Sequence, residues 1–237
     1  MAWDTLARSP EQTRVLQRAL SLAGPGQVCV LDLDSCLFDT RPKQVRIIRA
    51  FAHHDGWPEL MAVREQHFVD WSLRNTLTLA EVAFDAERLE RLHRYWWERF
   101  FDGAWHAFDV PLPGAVAFAQ ALHERGATLV YLTGRHRPMR EGTLQALHTW
   151  AFPIGDGRST LVTKPRFETD DHVYKRSAAE RVRGLGTPVL AIDNEPANVN
   201  VFADIFPEAL VIWIDTDHSP LPITPNPDLA RIRGFLV

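Results

Sequence analysis

The chain has 237 residues, of which 46% are hydrophobic and 24% are charged. These values predict a folded soluble protein with one sizeable core, or with one core and an inserted smaller unit. A formal charge of −4 argues against nucleic acid or an anionic membrane as a general partner, and no apolar run reaches membrane-spanning length.

The N-terminal residues and the cysteines bear on the cellular compartment. The first residues lack the basic-then-apolar pattern of a secretion signal. Only two cysteines occur, Cys29 and Cys36, so a disulfide framework is not expected. We therefore predict a cytoplasmic protein.

The first predicted strand is "VCVLDL", residues 28–33. Its apolar run is typical of a parallel strand that is covered on both faces. Asp32 and Asp34 follow directly, although a charge at the end of a buried strand costs free energy unless something uses or neutralises it. This pair is the first indication of a functional site.

Residues 40–109 form a predicted helical insertion. No convincing strand occurs there, and helical spacing within residues 85–101 aligns Leu89, Leu92 and Trp96. Five of the eight tryptophans fall in this interval, and we expect them to form mainly its own core. The alternative, that one or two of them stack on a substrate ring, stays open. The histidines of the insertion show no metal-ligand pattern.

Strands and helices alternate in the remainder of the chain. Strands are predicted at residues 128–132, 159–163, 188–192 and 209–214, with helical patterns between them. This alternation predicts an α/β fold with a doubly wound, mainly parallel sheet of five strands. The proline-rich residues 218–229 predict an extended surface segment.

Residues with catalytic or binding potential lie at or just after the carboxyl ends of these strands, where open α/β sheets bind their ligands. Besides the first aspartate pair, they are Thr133, Gly134, Arg135, Asp193 and Asn194. Lys175 lies on the helix before the fourth strand and can face the same crevice. The sequence therefore predicts one site built from several strand ends.

This ordered set resembles the haloacid dehalogenase (HAD) superfamily in four motifs. They are "VLDLDSCL", "VYLTGR", Lys175 in "HVYKRSAAERV", and "VLAIDNEPANV". The resemblance covers about residues 28–39 and 111–215. It implies a HAD-like Rossmannoid core domain of residues 1–39 and 110–237, and a mobile helical cap domain of residues 40–109.

The resemblance also implies a reaction. Asp32 is the nucleophile that attacks phosphorus and forms an aspartyl-phosphate, and Asp34 exchanges protons with the leaving oxygen and with water. Two unit charges about 4 Å apart repel by roughly 4 kcal/mol at a near-surface dielectric, so cations must offset the approach of carboxylate and phosphate. Lys175 is one such cation.

Magnesium and the second motif complete the implied site. The resemblance assigns Mg²⁺ to the Asp32 side chain, the Asp34 backbone carbonyl and the Asp193 side chain. Substrate binding falls to the second motif, that is, to Thr133, Gly134 and Arg135. Arg135 and Arg140 are candidates for binding a substrate phosphate or carboxylate, and a helix-facing or solvated position stays equally open for both. The Thr133 hydroxyl would donate to a phosphoryl oxygen.

Asp34 narrows the chemistry within the superfamily. Dehalogenases of this family lack an aspartate at that position, and phosphonate-cleaving members carry a small residue. An acid/base there favours phosphate-ester hydrolysis or phosphoryl transfer. We therefore predict a Mg²⁺-dependent phosphatase that acts on a small phosphorylated metabolite, with nucleic acid and membranes not expected as partners.

Some assignments have alternatives. Lys164, in "VTKPRFETDD", competes with Lys175 for the role of the motif lysine. Ser35 and Cys36 replace a usual glycine and threonine, and Asn194 replaces a frequent second acid, which would weaken metal affinity. Taken singly, each motif has an ordinary structural explanation as a strand end, a turn or a helix cap.

Three other functions remain open from the sequence. The same residues serve a phosphotransferase or mutase, in which the cap excludes water. The strings "LTGR" and "YKR" also occur in phosphatases for nucleotides or nucleic-acid ends. A non-catalytic binding protein on a HAD scaffold is the third. The sequence leaves the substrate and the oligomeric state undetermined.

Overall fold

The structure is a computed structural model that describes residues 9–236. Within this range the strands are β1 (Gln27–Leu31), β2 (Phe38–Asp39), β3 (Val110–Pro111), β4 (Thr128–His136), β5 (Ser159–Lys164), β6 (Thr187–Asp193), β7 (Leu210–Ile214) and β8 (Ala230–Ile232). Six of them form one parallel sheet in the order β5-β4-β1-β6-β7-β8. The predicted α/β fold with a mainly parallel sheet is confirmed.

The α-helices of the described range fall in two groups. Those of the strand–helix alternation are α1 (Pro10–Leu22), α5 (Ala115–Glu124), α6 (Arg140–Thr149), α7 (Asp171–Val182) and α8 (Pro196–Ile205). Those of the insertion are α2 (Arg41–Asp55), α3 (Leu73–Leu79) and α4 (Ala86–Phe100), together with shorter 3₁₀ segments, among them Gly103–Phe108.

The sheet differs from the prediction in two respects. A sixth strand, β8, pairs with β7, and its three residues were too short a pattern to recognise. Strand β4 continues to His136, so the residues of "TGR" belong to the strand, with a register shift between Thr133 and His136. Such an irregularity re-aims side chains near a strand end.

Alternation along the strands sends side chains to two separate layers of core. On β1, Cys29 and Leu31 pack into the cluster that includes residues of α1, α5 and α6. Val28 and Val30 point to the opposite face, where α7 and α8 supply the partners. Strand β1 lies between β4 and β6. The chain passes from β1 to β4 and β5 on one side of β1 and then crosses to β6 on the other side, so the carboxyl ends of β1, β4 and β6 frame a crevice.

The inserted residues have a hydrophobic cluster of their own. It is formed by side chains of α2, α3, α4 and the connecting segments, and Trp57 and Trp96 are buried in it. Trp71 and Trp97 are 54% and 42% exposed, so the expectation that the tryptophans mainly form a core holds only for some of them. The strands β2 and β3 pair antiparallel at the two ends of the insertion. The division into core and cap domains stays a prediction.

Helix α1, which was not predicted, joins the C-terminal residues to the core. Gln12 is buried, donates to the Leu236 carbonyl at 3.0 Å and accepts from the Arg233 amide at 3.0 Å. Within residues 9–236, no helix combines the length and the apolar character needed to cross a membrane.

Candidate active site

Strand alternation directs the aspartates at the ends of β1 and β6 toward α7. Asp32 continues the series of Val28 and Val30 on β1, and Asp193 ends β6 on the same face. Lys175, on α7, projects between them. Its Nζ lies 2.6 Å from Asp32 Oδ1 and 2.5 Å from Asp193 Oδ2. One ammonium group therefore joins two buried carboxylates that are far apart in the sequence.

The charges of this trio are unbalanced. Although burial acts in the opposite direction, Asp193 and Asp32 raise the pKa of Lys175 above its ordinary value, so it stays charged. Burial raises the pKa of Asp32 well above 3.8, and Asp193 and Asp34 add to this effect against the opposing charge of Lys175. A further positive charge beside Asp32 would favour its ionised form.

The donors around Asp32 fit a divalent cation. With Asp32 and Asp193 ionised, Lys175 offsets only one of their two charges, and no described residue makes a hydrogen bond to Asp32 Oδ2. Across residues 9–236, no three His, Cys, Asp or Glu side chains form a metal cluster by themselves. Mg²⁺ accepts hard oxygen ligands such as two carboxylates and one backbone carbonyl, with water in the remaining positions.

Neighbouring groups fix the orientation of Asp193. Its Oδ1 accepts from the Glu195 backbone amide at 2.9 Å, and the side-chain nitrogen Nδ2 of Asn198 lies 3.2 Å from both carboxylate oxygens. The Asn198 side-chain oxygen is in turn 3.0 Å from His172 Nδ1. Helix α8, which carries Asn198, thus orients the carboxylate from behind.

Asp34 is held by Arg135 rather than by Lys175. The guanidinium donates from Nε and Nη2 to the two Asp34 oxygens at 2.8 and 2.7 Å. Burial would raise the pKa of Asp34, but Arg135 and then Lys43 outweigh it and lower that pKa. The Asp34 side chain remains 30% exposed, so a ligand can reach it, whereas that of Arg135 is 1% exposed.

A second buried carboxylate faces the same arginine. Asp109 Oδ2 accepts from Arg135 Nη2 at 2.7 Å, and Asp109 Oδ1 lies 3.0 Å from Lys43 Nζ. Lys43 Nζ is also 4.0 Å from Asp34 Oδ1. Two carboxylates and two cations therefore alternate around a closed ring, and the inserted residues supply one of each.

His106 lies against this ring as a neutral imidazole. Its Nδ1 is 3.0 Å from Asp109 Oδ2 and 3.3 Å from Lys43 Nζ, so the tautomer with hydrogen on Nδ1 donates to the carboxylate, whereas the other tautomer accepts from Lys43. Its Nε2 is buried and has no partner among the described residues. Burial and the charges of Arg135 and Lys43 lower the pKa of His106 to about 4.

The rest of the second motif lies beside this ring. Thr133 is fully buried, and its hydroxyl oxygen accepts from the Arg135 amide at 3.2 Å. Gly134 is close to α7, since a Cβ there would lie 3.0 Å from Asp171 Oδ2. Arg135 uses four of its five N–H groups on Asp34, Asp109 and Thr143, and its side chain is 1% exposed, so in this arrangement it does not face a substrate.

Other candidate residues have partners outside the Asp32 trio. Lys164 Nζ lies 2.5 Å from Asp171 Oδ1, and Arg140 donates to the Leu161 carbonyl. Asn194 donates to the Asp217 carbonyl at 2.7 Å. Of the two lysines, only Lys175 contacts Asp32, so the geometry favours Lys175 as the motif lysine.

The turn after β1 accommodates its two unusual residues differently. Ser35 has φ 57°, the left-handed conformation that favours glycine. Cys36 is fully buried, its Sγ lies 3.8 Å from the Ile192 carbonyl, and burial raises the pKa of its thiol. Cys36 therefore packs in the core rather than offering a reactive thiolate.

A family comparison decides the identity of this fold. The family model described as haloacid dehalogenase-like hydrolase matches residues 27–204, well over half of the chain. The chain belongs to the haloacid dehalogenase-like hydrolase family. Curated protein sequences give no significant match.

Solved structures share the fold of this HAD-like hydrolase. A protein from Clostridium difficile, provisionally described as a phosphatase, has a TM-score of 0.56 at 13% identity, over 83% of this chain and 88% of that one. A HAD-superfamily hydrolase from Geobacter sulfurreducens has a TM-score of 0.53 at 12% identity, over 90% and 94%. Mycobacterium tuberculosis Protein Tyrosine Kinase A has a TM-score of 0.54 at 16% identity, over 88% and 94%.

Sequence reasoning about this HAD-like hydrolase missed two residues of the ring, Lys43 and Asp109, and also His106, which lies against it. All three belong to the inserted segment, whose side-chain directions follow from long-range packing. The one available signal was Asp109 itself, an acidic residue between apolar neighbours in "HAFDVPL". A buried charged residue where the inserted segment rejoins the sheet requires an oppositely charged or hydrogen-bonding partner.

Proposed function

We propose that this HAD-like hydrolase is a Mg²⁺-dependent phosphatase that hydrolyses a small phosphorylated metabolite through an aspartyl-phosphate on Asp32. The observation that carries the proposal is the contact of Lys175 with both Asp32 and Asp193. It gathers a nucleophile, a cation and a second carboxylate at the strand ends where α/β sheets bind ligands. The phosphatase named among the structural neighbours is consistent with this chemistry.

Asp32 has the first role. Its carboxylate oxygen attacks phosphorus, the bond from phosphorus to the ester oxygen breaks, and the leaving oxygen takes a proton. Lys175 offsets the negative charge that gathers between Asp32 and the phosphoryl group. The Thr133 hydroxyl is proposed to donate to a phosphoryl oxygen, beside the Gly134 backbone.

Asp34 handles the protons. It is proposed to protonate the leaving oxygen and then to take a proton from the water that attacks the aspartyl-phosphate, so that phosphate leaves and Asp32 is regenerated. The lowered pKa of Asp34 favours the second of these roles, since an ionised carboxylate accepts a proton readily. Its partial exposure leaves it accessible to both substrate and water.

Asp32, the Asp34 backbone carbonyl and Asp193 would hold Mg²⁺. Such an ion supplies positive charge to the phosphoryl oxygens and to the nucleophile. Helices α2–α4 are proposed to form the cap that excludes water and contacts the rest of the substrate, because they pack around a hydrophobic cluster separate from the sheet. The predicted cytoplasmic location belongs to the same proposal.

Phosphate release from a panel of phosphoesters tests the proposal. The wild-type protein with Mg²⁺ should release phosphate from at least one ester, and both EDTA treatment and Asp32→Asn should reduce release to background. Asp204→Asn is the matched control, because Asp204 is an exposed aspartate on α8 that pairs with Arg176. Full activity of Asp32→Asn, with circular dichroism showing both variants folded, would refute the proposal. Direct assay of free phosphate separates hydrolysis from transfer to a second substrate.

A further inference from the structure

The ring around Asp34 contains four charged groups, two of which come from the inserted segment. Its members alternate in sign: Asp34, Arg135, Asp109 and Lys43. The Lys43 and Asp109 side chains are both 0% exposed, and burial of that kind costs free energy unless each charge is paired. Lys43 meets this condition, with Asp109 at 3.0 Å, Asp34 at 4.0 Å and the Phe100 ring at 4.3 Å. Such a pair needs an explanation beyond packing.

The geometry assigns the ring a task at Asp34. Arg135 uses Nη2 for both Asp34 and Asp109, so Asp109 fixes the plane of the guanidinium that grips Asp34. Lys43 limits rotation of Asp34 from the other side. We propose that the buried Lys43–Asp109 pair is a positioning device that orients the Asp34 carboxylate for proton transfer and thereby couples the inserted segment to the chemical step. The inference rests on the proposed function of Asp34.

A charge-matched set of variants tests the positioning role. Lys43→Met with Asp109→Asn, termed the pair deletion, removes one charge of each sign, so the ring keeps its net charge. Asp34→Asn and the triple variant likewise share one net charge. The substrate is phenyl phosphate, whose poor leaving group makes proton transfer important. Glu90→Gln with Arg94→Met is the control, because it deletes an exposed pair of the same chemical type on α4.

The expected result is a loss in kcat that depends on Asp34. The pair deletion should lower kcat about tenfold or more while KM changes by less than about twofold, since correct acid–base placement contributes roughly 10²–10⁴-fold. In the Asp34→Asn background the same deletion should cost nothing further. The exposed-pair control should leave kcat unchanged. An equal fold-decrease in kcat in both backgrounds, or a rise in KM with kcat unchanged, overturns the proposal.

A second variant and a crystal structure cover the cases in which the pair deletion does not fold or no ester is hydrolysed. If thermal unfolding shows the pair deletion to be unfolded, Asp109→Glu replaces it, because that change keeps the charge but shifts the carboxylate by one methylene. If the wild-type protein hydrolyses no ester, the proposed function fails, and crystal structures then decide the positioning claim. An Asp34 carboxylate rotated away from Arg135 in the variant supports it, whereas an unchanged orientation overturns it.

Discussion

The ammonium nitrogen of Lys175 lies 2.6 Å from Oδ1 of Asp32, and the residues that carry these groups are 143 positions apart. Lys175→Met should therefore lower phosphatase activity about 100-fold or more, as expected when a preorganised charge is removed from a reacting oxyanion. It should also destabilise the fold by about 3–5 kcal/mol, since two buried carboxylates lose their partner. Phosphate release and urea unfolding measure the two effects.

Lys164→Met is the matched control for that substitution. Lys164 also pairs with an aspartate, but its partner is Asp171, which is about half exposed. We expect its loss to change the free energy of unfolding by less than about 1 kcal/mol and to leave activity within a few-fold. If Lys164→Met inactivates the enzyme and Lys175→Met does not, the two lysines have been assigned the wrong way round.

Arg135 should behave as a partner of Asp34 and not as a ligand of the substrate. Arg135→Lys keeps the charge but loses the paired hydrogen bonds to Asp34 at 2.8 and 2.7 Å. The expected result is a drop in kcat of about tenfold or more with little change in KM, because proton transfer is affected and binding is not. Steady-state kinetics separates the two, and a rise in KM at constant kcat would restore Arg135 as a substrate-binding residue.

The core of the site was predictable because it depends on local patterns. An apolar run predicts a buried strand, the end of a parallel strand predicts a position at the ligand-binding edge, and Asp32, Thr133 and Asp193 follow from these two rules. Lys175 followed from the order of the motifs along the chain. The same logic predicted five of the six strands of the main sheet, and it missed β8 because three residues hold too little pattern.

The ring around Asp34 was not predictable in this way. Lys43 and His106 are 63 residues apart, and their contact depends on how α2 packs against the segment Gly103–Phe108. Arg135 was expected to face substrate, but the register shift at the end of β4 accompanies a guanidinium that faces Asp34 and Asp109. Neither the helix packing nor the shift has a sequence signature that a single chain reveals.

The neutral His106 should make stability depend on pH. Its pKa in the folded protein is about 4, below the ordinary 6.5, because of burial and the charges of Arg135 and Lys43. The unfolded chain therefore binds a proton first as the pH falls. The stability contributed by this group is complete above pH 6.5 and is lost progressively toward pH 4. The loss reaches about 3 kcal/mol.

His106→Asn isolates this contribution, because its amide can still donate to Asp109 but does not titrate. Urea unfolding of both proteins between pH 7 and pH 4 should show that the wild type loses more stability than the variant. Carboxylates that do not contact His106, such as Asp34, whose pKa is lowered by Arg135 and Lys43 despite burial, add a slope common to both proteins. Parallel curves of stability against pH for the two proteins would mean that the pKa of His106 is the same in the folded and unfolded states.

The close approach of two glycines should be essential for the inserted segment to pack on α6. A Cβ added at Gly142 would lie 1.9 Å from the Gly103 carbonyl oxygen, which is far inside van der Waals contact. Alanine at a helical position is favoured by about 1 kcal/mol over glycine, but the clash should outweigh this and give a net destabilisation of about 1–3 kcal/mol.

Gly184→Ala is the matched control, because no atom lies within 4 Å of its added Cβ. Thermal unfolding should show a lower midpoint for Gly142→Ala alone, and activity should fall with it, since the displaced Gly103–Phe108 segment carries His106 and leads directly into Asp109. Equal midpoints for the two alanine variants would mean that the segment can move away from α6 at little cost.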